Sequence, residues 1–303
     1  MGYRLKKDEL VGHGIRRIAR EQIDKAIAEL TEHDGDRHDA VHQARKRFKK
    51  IRGVVRLVRP AMGKAYSREN AWFRDTGKEL SGLRDAEAVV ETLDRLREVF
   101  DGRDDARLLS RVREAMVNRR RGVVEQIGDL DDRMVEIAES LRGARDRVGD
   151  WRLSEDGFGA VEGGLVKTYR RGRKARAVAY REMTPEAFHE WRKRVKYHWH
   201  HMRLLQNIWP GPMRTRRRET RNLAELLGHS HDLAVFQSLL RGSPEQFGGE
   251  HDVQVVLGLA ERRQADLRAE ALPLGLRVFA EKPGCISSRM GGYWRAWTHA
   301  TRP

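Results

Sequence analysis

The sequence predicts an all-α protein built from two related helical halves. Three observations carry that prediction. Arg, Leu, Ala and Glu dominate the composition, and all four favour helix. Period-two runs of Val, Ile, Thr and Tyr, the mark of strands, are few. A block near residue 42 returns near residue 189, about half the chain away. The 303 residues suit two ordinary domains or one large one, and a hydrophobic content of 39% is enough for a core.

The repeat rests on two markers. His42-Gln-Ala-Arg45-Lys46-Arg47-Phe48-Lys49, continuing to Arg56-Leu57, matches His189-Glu-Trp-Arg192-Lys193-Arg194-Val195-Lys196, continuing to Arg203-Leu204. The offset is 189 − 42 = 147 residues. Residues 80–89 (LSGLRDAEAV) and 227–236 (LGHSHDLAVF) keep the same offset, with Asp85 aligned on Asp232. The expected halves are residues 1–148 and 149–303, each a helical bundle, together forming one module.

Taken in chain order, an entering helix carries Gly12-His13-Gly14-Ile15, and its counterpart carries Gly163-Gly164-Leu165. Breaks are expected at 34–36, 60–63, 101–105, 183–185, 209–212 and 242–250, with the seam at 143–159, because Gly, Pro, Asp and Ser interrupt the pattern there. Thr184, Pro185 and Glu186 make a helix start, with a capping hydroxyl and proline at the first helical position. These breaks leave about four helices per half. The simplest architecture is two four-helix bundles related by an internal pseudo-two-fold.

The first motif helix is expected from about Asp39 to Arg59. Val41, Ala44, Phe48, Ile51, Val55 and Val58 form one apolar stripe. His42, Arg45, Lys49, Arg52, Arg56 and Arg59 recur one residue later, about 100° around the helix. Lys46 and Lys50 widen this basic stripe. No acidic residue occurs from His42 to Arg59. Like charges at helical spacing repel, so the stripe is destabilising unless anions sit on it. In the second copy Phe188, Trp191, Val195, Met202 and Leu205 are apolar, and His189, Arg192, Lys196 and Arg203 are basic, with Lys193 beside them. Trp199 stands where the first copy has Arg52, so this stripe is shorter. The entering helices add Arg16, Arg17 and Arg20 in one half, and Lys167, Arg170, Arg171 and Lys174 in the other. They reach the same surface if they pack beside the motif helices.

The formal net charge of +16 favours a polyanionic partner. Arg offers a two-pronged donor to phosphate and Lys a compact charge. The single cysteine, Cys285, allows no intrachain disulfide, which fits a reducing cytoplasm. No run of about 18 apolar residues suggests a membrane span. The N-terminal 20 residues lack the apolar core of a signal peptide.

The paired His-x-x-Arg-x-x-x-Lys helices resemble the signature of the CHAD family, the conserved histidine α-helical domain. Lys167-Thr-Tyr-Arg-Arg-Gly-Arg-Lys174 and the segment from Leu223 to Val235 add to the likeness, which runs from about Val11 to Phe279. The resemblance implies paired four-helix bundles, a basic surface or channel where they meet, polyphosphate binding and association with polyphosphate granules. Carried over residue by residue, it implies anion contacts from His42, Arg45, Lys49, Lys50 and Arg52, with His189, Arg192 and Lys196. Family members are often fused to a triphosphate tunnel domain with an alternating Glu-x-Glu-x-Lys strand, and no such motif occurs in this sequence.

Other chemistry is less well supported. His198-Trp-His200-His201 and His229-Ser-His231-Asp232 invite a metal, but the spacing is loose and no third cluster accompanies them. Asp85 and Asp232 suit carboxylates that orient a His or Arg of the motif helix. A phosphate hydrolase normally gathers several carboxylates around a divalent metal, and neither that cluster nor a phosphate-binding Gly-rich loop is evident. Trp72, Trp191, Trp199 and Trp209 could stack on bases, although Trp191 falls in the apolar stripe. The expectation is therefore a binding protein without cofactor or catalytic residues. Inorganic polyphosphate is its first-choice partner and nucleic acid its second, with a phosphate-processing enzyme the remaining alternative. Periodicity leaves open whether the two basic stripes share one groove or face opposite sides.

Overall fold

A computed structural model describes residues 2–33, 35–100, 106–126 and 130–299, with the side chains of 81–86, 106–107 and 123–126 also outside the description. The expected break at 101–105 lies outside the described residues. Among the described residues the chain is all-α, with no strand.

The first half holds α1 (Val11–Thr31), α2 (Arg37–Leu57), α3 (Lys64–Glu79), α4 (Ser81–Val99), α5 (Ala106–Gln126) and α6 (Leu130–Arg147). The second holds α7 (Gly157–Glu182), α8 (Pro185–Leu204), α9 (Pro210–Gly242), α10 (Glu250–Val278) and α11 (Pro283–His299). That is six and five rather than about four each. The 147-residue offset explains the difference. In sequence it aligns α1 with α7, α2 with α8, α5 with α10 and α6 with α11, and it sets the broken pair α3–α4 against the continuous α9. Among the described residues, each half exceeds the expected count, and its last helix, α6 or α11, packs back on α1 or α7.

The caps follow the local sequence. Asp36 accepts a hydrogen bond from the Asp39 amide at 2.9 Å and starts α2 two residues earlier than the apolar pattern suggests. Thr184 accepts from the Ala187 amide at 3.2 Å, and Pro185 opens α8 as expected. The break expected at 209–212 is shorter than that. Pro210 takes the first position of α9, and Pro212 falls in its first turn, where amides have no intrahelical partner to lose. The α3–α4 break has a tertiary partner: the Arg45 guanidinium donates to the Leu80 carbonyl at 2.7 Å. That carbonyl sits at the helix end, where such groups lose their intrahelical donor.

The buried apolar side chains form two clusters, and neither is confined to one half. The larger joins α1, α2, α6, α7, α8 and α11 with Met213, Leu223 and Leu227 of α9 and Ala271 and Val278 of α10. The smaller joins α4 and α5 with Leu233, Phe236 and Leu240 of α9 and Val253 to Leu267 of α10. With 33 and 29 residues, α9 and α10 are long enough to serve both. Residues 228–232 of α9 fall between the two clusters.

Three close approaches bring the elements together. α2 meets α8 where Gly53 faces His200, and a Cβ on Gly53 would lie 2.8 Å from the His200 Cβ. α7 meets the end of α2 at Gly164, where a Cβ would lie 1.8 Å from the Leu57 carbonyl oxygen. At the start of the chain, the Leu5 amide donates to the Leu204 carbonyl at 3.0 Å, fastening that segment to the end of α8.

Candidate polyanion-binding cleft

Beside the α2–α8 crossing lies a cleft of about 840 Å³. α2 contributes His42, Arg45 and Lys49 to its walls, and α8 contributes His189, Arg192, Lys196, Trp199 and Arg203. α9 adds Arg221, Glu225, His229, His231 and Asp232, and α4 adds Ala88. The two basic stripes therefore share one groove. A helix repeats every 3.6 residues, so His42, Arg45 and Lys49 share a face of α2, as His189, Arg192 and Lys196 share one of α8. The apolar stripe beside each set is buried in the larger cluster: Ala44, Phe48 and Ile51 on α2, Trp191 and Val195 on α8. Burial of that stripe turns the basic one toward the groove.

Among the described residues lining the groove, Arg45, Lys49, Arg192, Lys196, Arg203 and Arg221 outnumber the carboxylates Glu225 and Asp232. Burial first, then Arg192 and Lys49, pushes the Lys196 ammonium down to about 7, although Asp232 and Glu225 oppose the shift. Burial also lowers the affinity of the Arg192 guanidinium for its proton, against the pull of Asp232. Asp232 lies 4.0 Å from the Arg192 Nη2 and 3.7 Å from the Arg95 Nη2 of α4, so it stands between two cations from different elements. Its neighbour in the groove is an arginine rather than a histidine ring nitrogen. The Arg192 Nε is buried and has no hydrogen-bond partner among the described residues. A buried donor of this kind costs stability until an acceptor arrives.

The two wall histidines interact directly. His189 Nδ1 and His231 Nδ1 are 3.2 Å apart, with ring centroids 4.3 Å apart. One Nδ1 must donate and the other accept, so the bonded pair carries at most one positive charge. Burial followed by Arg192 and Lys193 lowers the proton affinity of His189. Burial followed by Arg192 and His189 pushes His231 down to about 3. Both rings are neutral in the empty groove at neutral pH.

The remaining sequence-derived candidates lie elsewhere. Lys46 is exposed, its ammonium 3.4 Å from the Gln43 side-chain oxygen. Lys193 pairs with Glu190. The Arg56 guanidinium stacks 4.1 Å from the centroid of the Tyr197 ring, and Arg52 reaches the same ring at 5.9 Å. Lys50 is partly buried beside Arg47 and Arg203. The entering helices do not reach the groove walls. Arg16 donates to the Trp151 carbonyl at 2.7 Å, and Arg17 pairs with Glu9 at 2.5 Å and Glu21 at 3.2 Å. Arg20 packs against Gly149, where a Cβ would lie 3.1 Å from its Nη2. Lys167, Arg170, Arg171 and Lys174 are exposed on α7. These helices bury Ile15, Ile18 and Ala19, or Leu165 and Tyr169, and that leaves their basic residues on flanks that do not line the groove. The side chain of Asp85 lies outside the described residues.

His198 and His201 are buried in the larger core, where the His198 ring packs 5.3 Å from Tyr169 and 5.6 Å from Phe279. They are remote in role from His229 and His231, which line the groove. Trp191 is fully buried, Trp72 lies under the Arg147 guanidinium at 5.0 Å, and Trp199 lines the groove. Sequence reasoning did not single out Arg221, Glu225 or Arg95. Arg221, Glu225, Gly228 and Asp232 follow one face of α9 at spacings of four, three and four, and that periodicity was the available signal.

A family model for the CHAD domain matches residues 17–241. The chain belongs to the CHAD family. A crystal structure of the CHAD domain from the plant Ricinus communis superposes with a TM-score of 0.53 at 18% sequence identity. The match covers 89% of this chain and 93% of the plant chain, and it shows a common fold. No curated protein matches this chain. Both motif helices and the α9 wall of the groove as far as Asp232 fall inside the matched CHAD residues. No helix among the described residues is long and apolar enough to cross a membrane.

Proposed function

We propose that the groove binds inorganic polyphosphate and that the protein is a non-catalytic binding module, cytoplasmic, that targets or scaffolds polyphosphate granules. In this reading residues 1–148 and 149–303 act as one unit, because both supply walls of the cleft. The observation that carries it is the meeting of His42, Arg45 and Lys49 with His189, Arg192 and Lys196 across a single cleft. Partly desolvated like charges gathered in one cleft are stabilised by an anion. Polyphosphate presents a slender, flexible line of phosphates that can enter between helices. Duplex nucleic acid is a wide cylinder, read by elements that enter its grooves, and among the described residues no protruding basic element of that kind accompanies the cleft. The association of the CHAD family with polyphosphate supports the same choice.

The test is direct competition between long-chain polyphosphate and duplex DNA, followed by fluorescence anisotropy at about 0.15 M salt, where phosphate contacts are salt-sensitive. Polyphosphate is expected to displace DNA, and a win for DNA overturns the reading. Changing Arg45, Lys49, Arg192 and Lys196 together to Glu is expected to abolish binding. Release of inorganic phosphate in the presence of Mg²⁺ would instead reveal an enzyme.

A further inference from the structure

A second group of cations adjoins the cleft. Arg203, at its margin, has its guanidinium 5.4 Å from the centroid of the Tyr3 ring. The Tyr3 hydroxyl donates to the Lys50 carbonyl at 2.7 Å. Together with the Leu5–Leu204 backbone bond, this fastens the start of the chain across α2 and α8, with Arg4 between the two attachments. Four cations meet there from four elements: Arg4 from the N-terminal segment, Lys50 from α2, Arg203 from α8 and Arg217 from α9. They feel one another's charge. Arg217, Arg4 and Arg47 each weaken proton binding by Arg203, Arg203 does so for Lys50, and Arg4 does so for Arg217.

The nearby carboxylates are already engaged. Glu29 pairs with Arg47 at 2.5 Å, Glu225 with Arg221 at 2.8 Å and Glu9 with Arg17 at 2.5 Å. Among the described residues, none of Arg4, Lys50, Arg203 and Arg217 forms an ion pair. Basic faces usually interleave acidic partners. This half-buried one gathers four cations, of which Lys50 feels a carboxylate, Glu29, that is already paired with Arg47, next to a groove lined mainly by cations among its described residues.

We infer that this patch continues the polyanion path out of the cleft, with Arg203 as the shared residue, so that the protein prefers polyphosphate chains long enough to occupy both. The inference rests on the cleft reading of the previous subsection. A short phosphate oligomer fills only one of the two regions. A long chain bridges them, and its second set of contacts forms at the high effective concentration of a tethered ligand.

The test compares tripolyphosphate with long-chain polyphosphate on the full chain. It uses the wild type and the triple variant Arg4→Gln, Lys50→Gln, Arg217→Gln, which leaves the cleft residues intact. Far-UV circular dichroism and the thermal midpoint establish that the variant is folded. The variant is expected to bind tripolyphosphate as the wild type does but to bind the long chain on the order of tenfold more weakly. Its salt slope for the long chain should be smaller by about 2, since each lost phosphate contact removes roughly 0.7 from the slope. Equal long-chain affinity in variant and wild type overturns the path while leaving the cleft reading standing. An equal loss for both lengths also overturns it, because the patch then acts only as a diffuse field. A variant defect confined to RNA, with polyphosphate unaffected, would assign the patch to a different polymer and overturn it too. If the wild type binds neither polyphosphate, the cleft reading itself has failed.

Discussion

If the groove binds polyphosphate as proposed, Lys196 makes that binding pH-dependent with a sign that its surroundings fix. Burial and the nearby Arg192 and Lys49 push its ammonium down to about 7 from the ordinary value of 10.5. Asp232 and Glu225 pull the other way, and His189, His231 and His229 of the same walls are held below their ordinary range by burial. An anion beside the ammonium favours its charged form, so the complex binds a proton that the empty groove lacks. The sign follows by linkage: affinity rises as pH falls toward 7, because the free protein then needs less proton uptake to bind. If the anion restores the ordinary value of 10.5, affinity should rise about 50-fold from pH 9 to pH 7, or about 2.3 kcal/mol at 1.36 kcal/mol per pH unit. Below about pH 6 the lysine contribution levels off, and only the histidines add to it. Isothermal titration calorimetry across this range, repeated in buffers of different ionisation enthalpy, reads both affinity and proton uptake. Lys196→Arg keeps the charge without titrating and should flatten the profile, binding better than wild type at pH 9. Lys196→Gln should be flat and weak. A wild-type profile no steeper than that of Lys196→Arg would refute the reasoning, because the titration would then belong to the ligand or to another group.

Two further outcomes bear on the fold. Gly164→Ala places a Cβ 1.8 Å from the Leu57 carbonyl oxygen. Backbone cannot rotate away as a side chain can, so the substitution should destabilise the protein by about 3 kcal/mol and lower the thermal midpoint by several degrees. An unchanged midpoint would mean that α2 and α7 do not approach so closely. Burial holds His198, His200 and His201 neutral, with His201 at about 3. The unfolded chain therefore binds these protons first, and stability is full above about pH 6.5 and falls by about 1.4 kcal/mol per pH unit for each ring. Three such rings remove about 6 kcal/mol by pH 5, a large share of a typical 5–15 kcal/mol. Urea denaturation at pH 7.5 and pH 5.5 should show about 4 kcal/mol of this loss, and equal midpoints would place the rings in contact with water.

Much of the helix pattern is legible in the chain because it is local. Thr184–Pro185 starts α8 by capping chemistry that needs no distant partner. The apolar stripe through Ala44, Phe48 and Ile51 is buried as its spacing requires. The break at Leu80 is different. Leu227, its counterpart, continues as helix within α9, so the break in the first copy coincides with a distant donor, Arg45, which no local pattern announces. Arg16, Arg17 and Arg20 mislead for a related reason. Their spacing shows one helix face, but Trp151 and Gly149 from a remote part of the chain, and Glu9 from the segment just before α1, occupy that face.

By itself the sequence determined the all-α class, the 147-residue duplication and which face of each motif helix is basic. These follow from propensity, periodicity and spacing, and all three act within a few turns of helix. The tertiary structure alone decided that both basic faces line one cleft and that α9 supplies its third wall with Asp232 and His231. It also decided that the two cores cut across the halves. The reason is that periodicity orients a side chain about its own helix axis, whereas the direction in which two helices cross is set by contacts such as Gly53 on His200, between residues 147 positions apart.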